Sequence, residues 1–391
     1  MIIPKLALRN MLGAGAKTWL NGAVLSMAFV TIIFAQGLYR GFDAEVSKTL
    51  IDAEYGGGQY WVEDYDPYDP FTLQDAHAVP APPLRALIDA GRAAPILIVQ
   101  GTLYPAGRVL PVAIKGIDPA QRQLSFPTNV LTASGDGIPA LIGSRMAKSA
   151  GLAVGDTVTV RWRDVRGAFD AKDLEIVQVM TTTAQTIDEG QVWLPLATLR
   201  EMAAMPGEAT IVVLDRDASP VAAAAGWSFQ GLDVLLKDIK DIIKGKTIGA
   251  SVLYAILLFL AALAILNTQL LSIWRRRKEI GTMMAMGVTR GRVIGLFTFE
   301  GALNAVFAAV VGAVWGIPLL AYLAVRGLSM GANQGDSFGI AMSDTMYPSY
   351  SAGLVAGTTL LVFLITTIVS YLPARKISKL KPTEALQGRR A

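Results

Sequence analysis

Apolar residues gather into four long runs along this chain, at roughly 19–39, 248–273, 293–325 and 350–372, with few charged side chains inside them. A helix needs about 20 consecutive apolar residues to cross a hydrocarbon core, so each run predicts a membrane-spanning helix. Beyond the first run, Phe42, Val46, Thr49/Leu50 and Ala53 recur at helical spacing. Leu232, Leu235/Leu236, Ile239 and Ile242/Ile243 do the same before the second, with Lys237, Asp238, Lys240, Asp241 and Lys244 on the other face. The pattern predicts an amphipathic pair of extensions forming a stalk, against the alternative of a helix lying flat in the interface.

Between the first and second runs, about 210 residues change character. Leu110–Ile117, Thr157–Trp162, Leu174–Val179 and Ile211–Leu214 are β-branched and partly alternating, which predicts strands. Helices are predicted at Pro83–Gly91, Gly143–Gly151 and Leu196–Ala204, each bounded by Gly or Pro. The expected unit is an α+β domain in two lobes, with 56–110 distinct from 111–215 and Tyr60–Pro70 as a loop or edge. The fold class is thus an α-helical integral membrane protein with four transmembrane helices and a large extracytoplasmic α+β domain between helices 1 and 2. The expected divisions are 1–55 for leader, first span and stalk, 56–230 for the outside domain, and 231–273 for stalk and second span. A loop at 274–292, two spans over 293–372 and a tail at 373–391 follow.

Composition agrees: 17% of residues are charged and 52% hydrophobic, where soluble domains carry about 25% charged residues. The first run is too long for the apolar core of a secretory signal and lacks a small-x-small site after it, so it reads as a retained anchor. Charge orients the spans. Lys5, Arg9 and Lys17 give the leader +3, and the loop and the tail carry +5 each, against +4 for the whole chain, which leaves −9 for the rest. Positive loops stay on the cytoplasmic side, so both termini and the 274–292 loop are expected inside and the acidic domain outside. The basic balance therefore reports topology and contact with anionic membrane lipid, with no nucleic acid as partner. With no cysteine, the outside domain must rest on its own core. The lone histidine, His77, reads as a surface residue.

The loop itself is the most informative segment. Ile273-Trp-Arg-Arg-Arg-Lys-Glu-Ile-Gly-Thr-Met-Met-Ala-Met-Gly-Val-Thr-Arg-Gly-Arg-Val293 sets an apolar centre inside a basic collar. A merely solvated loop has no use for Ile280, Met283, Met284, Met286 and Val288. Methionine adapts to partner surfaces, so the segment reads as a short helix that docks a cytoplasmic partner. Glu300, two turns into the third span, is costly in hydrocarbon. Three readings are open for it: solvation near the cytoplasmic face, an interhelix contact with Asn267, Gln269 or Asn304, or substrate or proton handling. Lys244-Gly-Lys-Thr247 fails as a phosphate loop, since Lys240 stands where a glycine is needed. Gly312 and Gly316 are spaced for close helix packing. No catalytic set and no metal-ligand cluster is recognisable, so nothing points to an enzyme acting alone.

The run Arg275-Arg-Arg-Lys-Glu-Ile-Gly-Thr-Met-Met-Ala-Met-Gly-Val-Thr-Arg-Gly-Arg-Val-Ile-Gly-Leu-Phe-Thr-Phe-Glu-Gly301 resembles the hallmark of the FtsX/MacB-like ABC transporter permeases. The matching positions are Glu279, Ile280, Gly281, Ala285, Gly287, Arg290, Arg292 and Glu300. The tail Pro373-Ala-Arg-Lys-Ile-Ser-Lys-Leu-Lys-Pro-Thr-Glu-Ala-Leu386 is similar to that family's closing motif. Gly116–Gln121 and Leu141–Asp156 resemble the outside domain of the stand-alone LolC/LolE lipoprotein-releasing branch. The resemblance implies a permease subunit in a bacterial inner membrane, coupling a separate cytoplasmic ABC ATPase dimer to extraction of a substrate from the outer leaflet or periplasm. Lipoprotein release is the expected task; efflux of a drug, peptide or haem-like compound, or relay to a cell-wall hydrolase, are the alternatives. ATP and Mg would sit on the partner ATPase, with no cofactor on this chain. A second copy or a related permease, and a periplasmic chaperone or adaptor, are the other implied partners. The implied ATPase-coupling residues are Arg276, Glu279, Ile280, Gly281, Met283, Met284, Met286, Gly287 and Arg290.

Overall fold

The computed structural model describes residues 15–132, 137–180, 188–221, 224–329 and 345–376. The basic leader with Lys5 and Arg9, the side chain of Lys17 and the closing motif from 377 onward lie outside them. The chain opens with α1 (Ala16–Leu50), which runs directly into a π-helical turn at Ile51–Tyr55. Then come β1 (Gln59–Val62), α2 (Pro82–Asp89), β2 (Ala93–Leu103), β3 (Leu110–Ile117), β4 (Ile138–Gly143) and α3 (Ser144–Ala150). They are followed by β5 (Thr157–Arg163), β6 (Phe169–Met180), β7 (Gln191–Pro195), α4 (Leu196–Ala203), β8 (Ile211–Leu214), β9 (Trp227–Gln230) and α5 (Leu232–Leu235). The chain returns through α6 (Lys237–Arg275), α7 (Arg277–Ala285) and α8 (Arg290–Arg326). It ends with the two-residue strands β10 (Leu328–Ser329) and β11 (Thr345–Met346), and with α9 (Ala352–Arg375). Two compact units result: Asp43–Asp241 forms one, and the remaining described helices form the other.

The helical unit carries the expected spans. Among the described residues, α1 with its π turn, α6, α8 and α9 are long and apolar enough to cross a membrane. Their shared core joins Leu25, Phe29 and Ile33 of α1, Ala261 and Ile265 of α6, Ala305 and Ala308 of α8, and Val362 of α9. Glycine lets α1 be approached closely. Gly316 lies so near Val30 that a Cβ there would sit 2.5 Å from the valine methyl, and Gly312 faces Ser26 and Val30. At the other end of α1, the segment after β11 lies across Gly37 and Gly41: Ser349 N–H donates to the Gly37 carbonyl at 2.9 Å, and a Cβ at Gly41 would run into the Tyr347 carbonyl. Arg40 donates to the Ser351 hydroxyl that caps α9.

The α+β unit is built on one nine-stranded sheet, in the order β3-β7-β4-β6-β5-β2-β8-β1-β9. The expected lobe boundary near residue 110 is not found, because β2 and β3 pair antiparallel across it from Leu97↔Gly116 to Leu103↔Leu110. Lobes exist but interleave in sequence. The eleven-residue β2 gives Ala93–Ile96 to β8 and Leu97–Leu103 to β3, with Gly101–Leu103 also on β5. One core, with Tyr60, Leu84, Val212, Leu214 and Trp227, serves the β1/β8/β9 end. Another, with Leu97, Ile114, Trp162, Leu174 and Leu199, serves the β3–β7 end. Tyr60–Val62 is no loop: it belongs to β1, with β8 on one side and β9 on the other, and Tyr60 is fully buried.

A third core explains the amphipathic extensions. Leu50, Val46, Ile51 and Ala53 from the end of α1, and Leu232, Leu236 and Ile239 from around the start of α6, pack with Ile96, Ile117, Trp193 and Val213. The apolar stripe is thus covered by the sheet of its own unit, while Lys237, Asp238, Lys240, Asp241 and Lys244 are exposed. His77, expected at the surface, is mostly buried and bonds Glu208.

Gly41→Ala drives a methyl into the backbone of residue 347, which cannot swing away as a side chain can. Overpacking of this kind costs about 1–3 kcal/mol. The expected result is a lower midpoint in thermal unfolding of the purified protein, with insertion unchanged.

Candidate functional site

The 274–292 segment folds as two helix ends with α7 between them. α6 stops at Arg275, and Arg276 takes a non-helical conformation that caps α7. α7 is closed by Gly287, whose φ is +91°. Its N–H donates to the Met284 carbonyl at 3.1 Å, and the Val288 N–H donates to the Met283 carbonyl at 3.0 Å. These two bonds make a Schellman turn, which needs a left-handed residue after the helix. Its usual apolar contact is present too, since Met283 and Val288 join the same cluster. Thr289 then starts α8.

That cluster pins the short helix. Ile273 of α6, Ile280 of α7, Val293 and Phe297 of α8 and Ala374 of α9 are buried together, with Met283, Met284, Val288 and Ile294 packed around them. Two stretches of sequence that stood apart, the loop and Pro373-Ala374, therefore meet in one place. Deeper along α8, Gly301 faces Ser370 of α9 and Gln269 of α6 so closely that no side chain fits there.

Arg276 ties the ends together electrostatically. Its Nη1 lies 3.2 Å and 3.4 Å from the two carboxylate oxygens of Glu300, and its Nε donates to Glu279 at 2.8 Å. The guanidinium also stands over the Phe297 ring, 5.2 Å from its centre. Of the readings open for Glu300, the structure supports an interhelix contact, but its partner is Arg276 and not Asn267, Gln269 or Asn304. Only the geometry reveals this, because the two residues are 24 positions apart and Arg276 is one of four consecutive basic residues.

Burial sorts the remaining candidates. Ile280 is wholly buried and Gly281 buried, so both face inward. Met283 and Met284 are half-buried in the cluster. Met286 is 72% exposed, and Arg275, Lys278, Glu279, Gly287, Arg290 and Arg292 are exposed with it. The exposed face of α7 is therefore Met286 within a rim of charge, and Ile280, expected to share in an apolar contact surface, is instead turned inward. Among the described residues no group of His, Cys, Asp and Glu is placed to hold a metal. An apolar groove of about 420 Å³ lies between α1, α8 and α9, lined by Phe29, Ala305, Ala309, Leu360 and Phe363 among others.

Comparison with known proteins gives two family matches. Residues 20–227 match the MacB-like periplasmic core domain, and residues 251–382 match the FtsX-like permease C-terminal region. An uncharacterized ABC transporter permease of Methanocaldococcus jannaschii is 30% identical over 154 residues, 39% of this chain and 36% of that protein. The macrolide export ATP-binding/permease protein MacB of Sodalis glossinidius is 28% identical over 217 residues, covering 51% and 31%. That of Bordetella avium is 23% identical over 239 residues, covering 56% and 34%. The chain thus spans about a third of the length of these curated relatives. The crystal structure of the periplasmic region of MacB from Actinobacillus actinomycetemcomitans aligns with 50% of this chain and 98% of its own, at 10% identity and a TM-score of 0.33. The narrower resemblance to the lipoprotein-releasing branch has no counterpart among these relatives.

Arg276→Ala leaves Glu300 buried without a counter-charge. Breaking one side of a buried pair costs about 3–5 kcal/mol. The double variant Arg276→Met/Glu300→Gln is expected to recover most of that loss in thermal unfolding, because no lone charge remains.

Proposed function

As the chain belongs to the family of permeases with a MacB-like periplasmic core domain and an FtsX-like C-terminal region, we propose that it is the membrane-spanning part of an ABC transporter. It couples ATP hydrolysis by a cytoplasmic ATP-binding partner, which holds ATP and Mg, to movement of a substrate from the periplasmic side. The observation that carries this reading is α7: a short helix anchored from beneath by Ile280 and Arg276, with Met286 and a charged rim left outward. An anchored helix transmits force to the helices it is pinned to, and α7 is pinned to α6, α8 and α9 at once.

The charge distribution supports placing both termini and α7 in the cytoplasm and the α+β unit in the periplasm, in a bacterial inner membrane. A second copy of this permease or a related one completes the transporter. The finer reading is efflux of a large amphiphile of the macrolide kind, which the names of the MacB relatives favour. Periplasmic adaptors belong to the same proposal.

Three measurements test it. Affinity capture from native-membrane nanodiscs should recover an ATP-binding subunit; its absence after mild extraction would overturn the coupling role. Vesicles carrying that complex, with erythromycin on the periplasmic face, should hydrolyse ATP faster than without it; hydrolysis that erythromycin leaves unchanged would reject the macrolide reading alone. In the same vesicles, Met286→Asp and Gly287→Pro should insert normally yet lower stimulated ATP hydrolysis about tenfold, the effect of about 1.4 kcal/mol of lost contact. Unchanged coupling in both variants would mean that the partner docks elsewhere.

A further inference from the structure

The point where α1 enters the sheet of the α+β unit is built differently from the rest of that unit. The helix does not end there in an α-helical cap; Gly56 closes a π turn instead. It widens into the π turn, in which the Gly56 N–H donates to the Ile51 carbonyl at 2.8 Å. An α-helical turn would have sent that N–H to Asp52. The wider register instead frees the Asp52 carbonyl, which accepts from the Ser125 N–H at 2.7 Å. Single π turns inside helices recur where a helix has to present a group it would otherwise hide.

The same turn aims two carboxylates sideways. Asp52 pairs with Arg216, and Glu54 reaches Lys115 Nζ at 3.2 Å. Lys115 is a lysine in the middle of an apolar strand. It is 6% exposed, lies beside Ile98 and Trp193 in the sheet, and stands 5.1 Å from the centre of the Trp193 ring. A buried lysine at this place costs desolvation and contributes little that a methionine would not. Its evident use is to hold Glu54. The Glu54 carbonyl is held as well, by the Gln59 side-chain amide at 2.8 Å.

Three glycines then press the chain onto β8. Gly57 N–H donates to the Leu214 carbonyl at 2.7 Å, and Leu214 N–H returns a bond to Gly58 at 2.9 Å. A Cβ at Gly56 would lie 2.6 Å from the Leu214 carbonyl, and one at Gly58 would lie 2.8 Å from the Phe229 ring. Gly56 and Gly58 have φ of +55° and +121°. The entry of α6 is held differently: Leu236 and Ile239 pack in the third core, while the first-turn Lys237 and Asp238 are exposed and Asp238 is bonded by Tyr68, itself exposed. The entry of α1 is tied by ions and backbone bonds, that of α6 by apolar packing.

We infer that the π turn, the Glu54–Lys115 pair and the Gly56–Gly58 run form a rigid clamp that makes α1, and not α6, the helix through which displacement reaches the periplasmic sheet. Here Lys115 and Glu54 are positioning residues. This deepens the transporter reading and rests on it for the direction of the force, whereas the clamp itself is a property of the α+β unit.

The test uses the full-length protein in nanodiscs and in the vesicles described above. Glu54→Gln with Lys115→Met removes both charges and keeps the volume. Hydrogen exchange should quicken by about tenfold or more in segments 51–58 and 122–127, while β3 and β7 keep their protection. The erythromycin-dependent part of ATP hydrolysis should fall about tenfold, with the basal rate within roughly twofold of the parent. The charge-swapped pair Glu54→Lys/Lys115→Glu should restore part of both. Unchanged exchange at 51–58 would overturn the clamp, and faster exchange with full erythromycin stimulation would overturn its role in transmission. Parent vesicles whose hydrolysis erythromycin does not raise would defeat the macrolide reading, while the exchange measurement still decides the clamp.

Discussion

Hydrocarbon offers no partner to a polar group, so polar side chains in the four long helices are drawn to partners inside the protein. Several are settled locally. The hydroxyls of Thr268, Thr298, Thr359, Thr366 and Thr367 each donate to the carbonyl four residues earlier in their own helix. A few reach across: Thr358 to Gln36, and the Trp315 indole N–H to Ser26. Glu300 is ionisable and buried, and Arg276 supplies its counter-charge from the end of the preceding span. Because Arg276 can do this only if the chain turns sharply after α6, the polar demand of one span shapes the loop that precedes it.

The same economy holds in the loop. Its basic collar, its apolar centre and its glycine do separate jobs that the linear pattern blurs. Ile280 and Phe297 anchor, Arg276 pairs inward, Gly287 closes the helix, and Met286 with Lys278 and Arg290 remains outside. A helix of nine residues has little stability of its own, so the outward face exists only because the inward one is fixed. Loss of the anchor would therefore lower stability and disturb the outward face together, whereas a change confined to the outward face would leave stability intact.

The long spans were legible because a membrane imposes a crude, length-based signal that survives local variation. β3 and β8 were legible too, since Val112, Ile114 and Ile117 recur along the first and Ile211, Val212 and Val213 stand together in the second. β1 and β7 were hidden by their residues. Gln59-Tyr-Trp-Val sits beside a Tyr/Asp/Pro-rich turn, and Gln191-Val-Trp-Leu-Pro ends in a proline. The lobes escaped because β2 is shared, and strand sharing leaves no mark in composition. At the candidate site, the motif positions were legible and their directions were not. Whether an apolar residue on a short helix faces a partner or its own chain depends on what is brought up behind it, here Phe297 and Ala374 from two other helices.

The contrast between the two ends of α1 carries this further. At one end the helix packs closely on α8 through glycine, and the Trp315 indole N–H donates to Ser26. At the other it is fixed by ions and backbone bonds, which have definite lengths. A buried lysine such as Lys115 is hard to justify as stabilisation, since an apolar residue would serve the core as well. It is easy to justify as a tie between two elements that must move together, and that is the arrangement found where α1 meets β3.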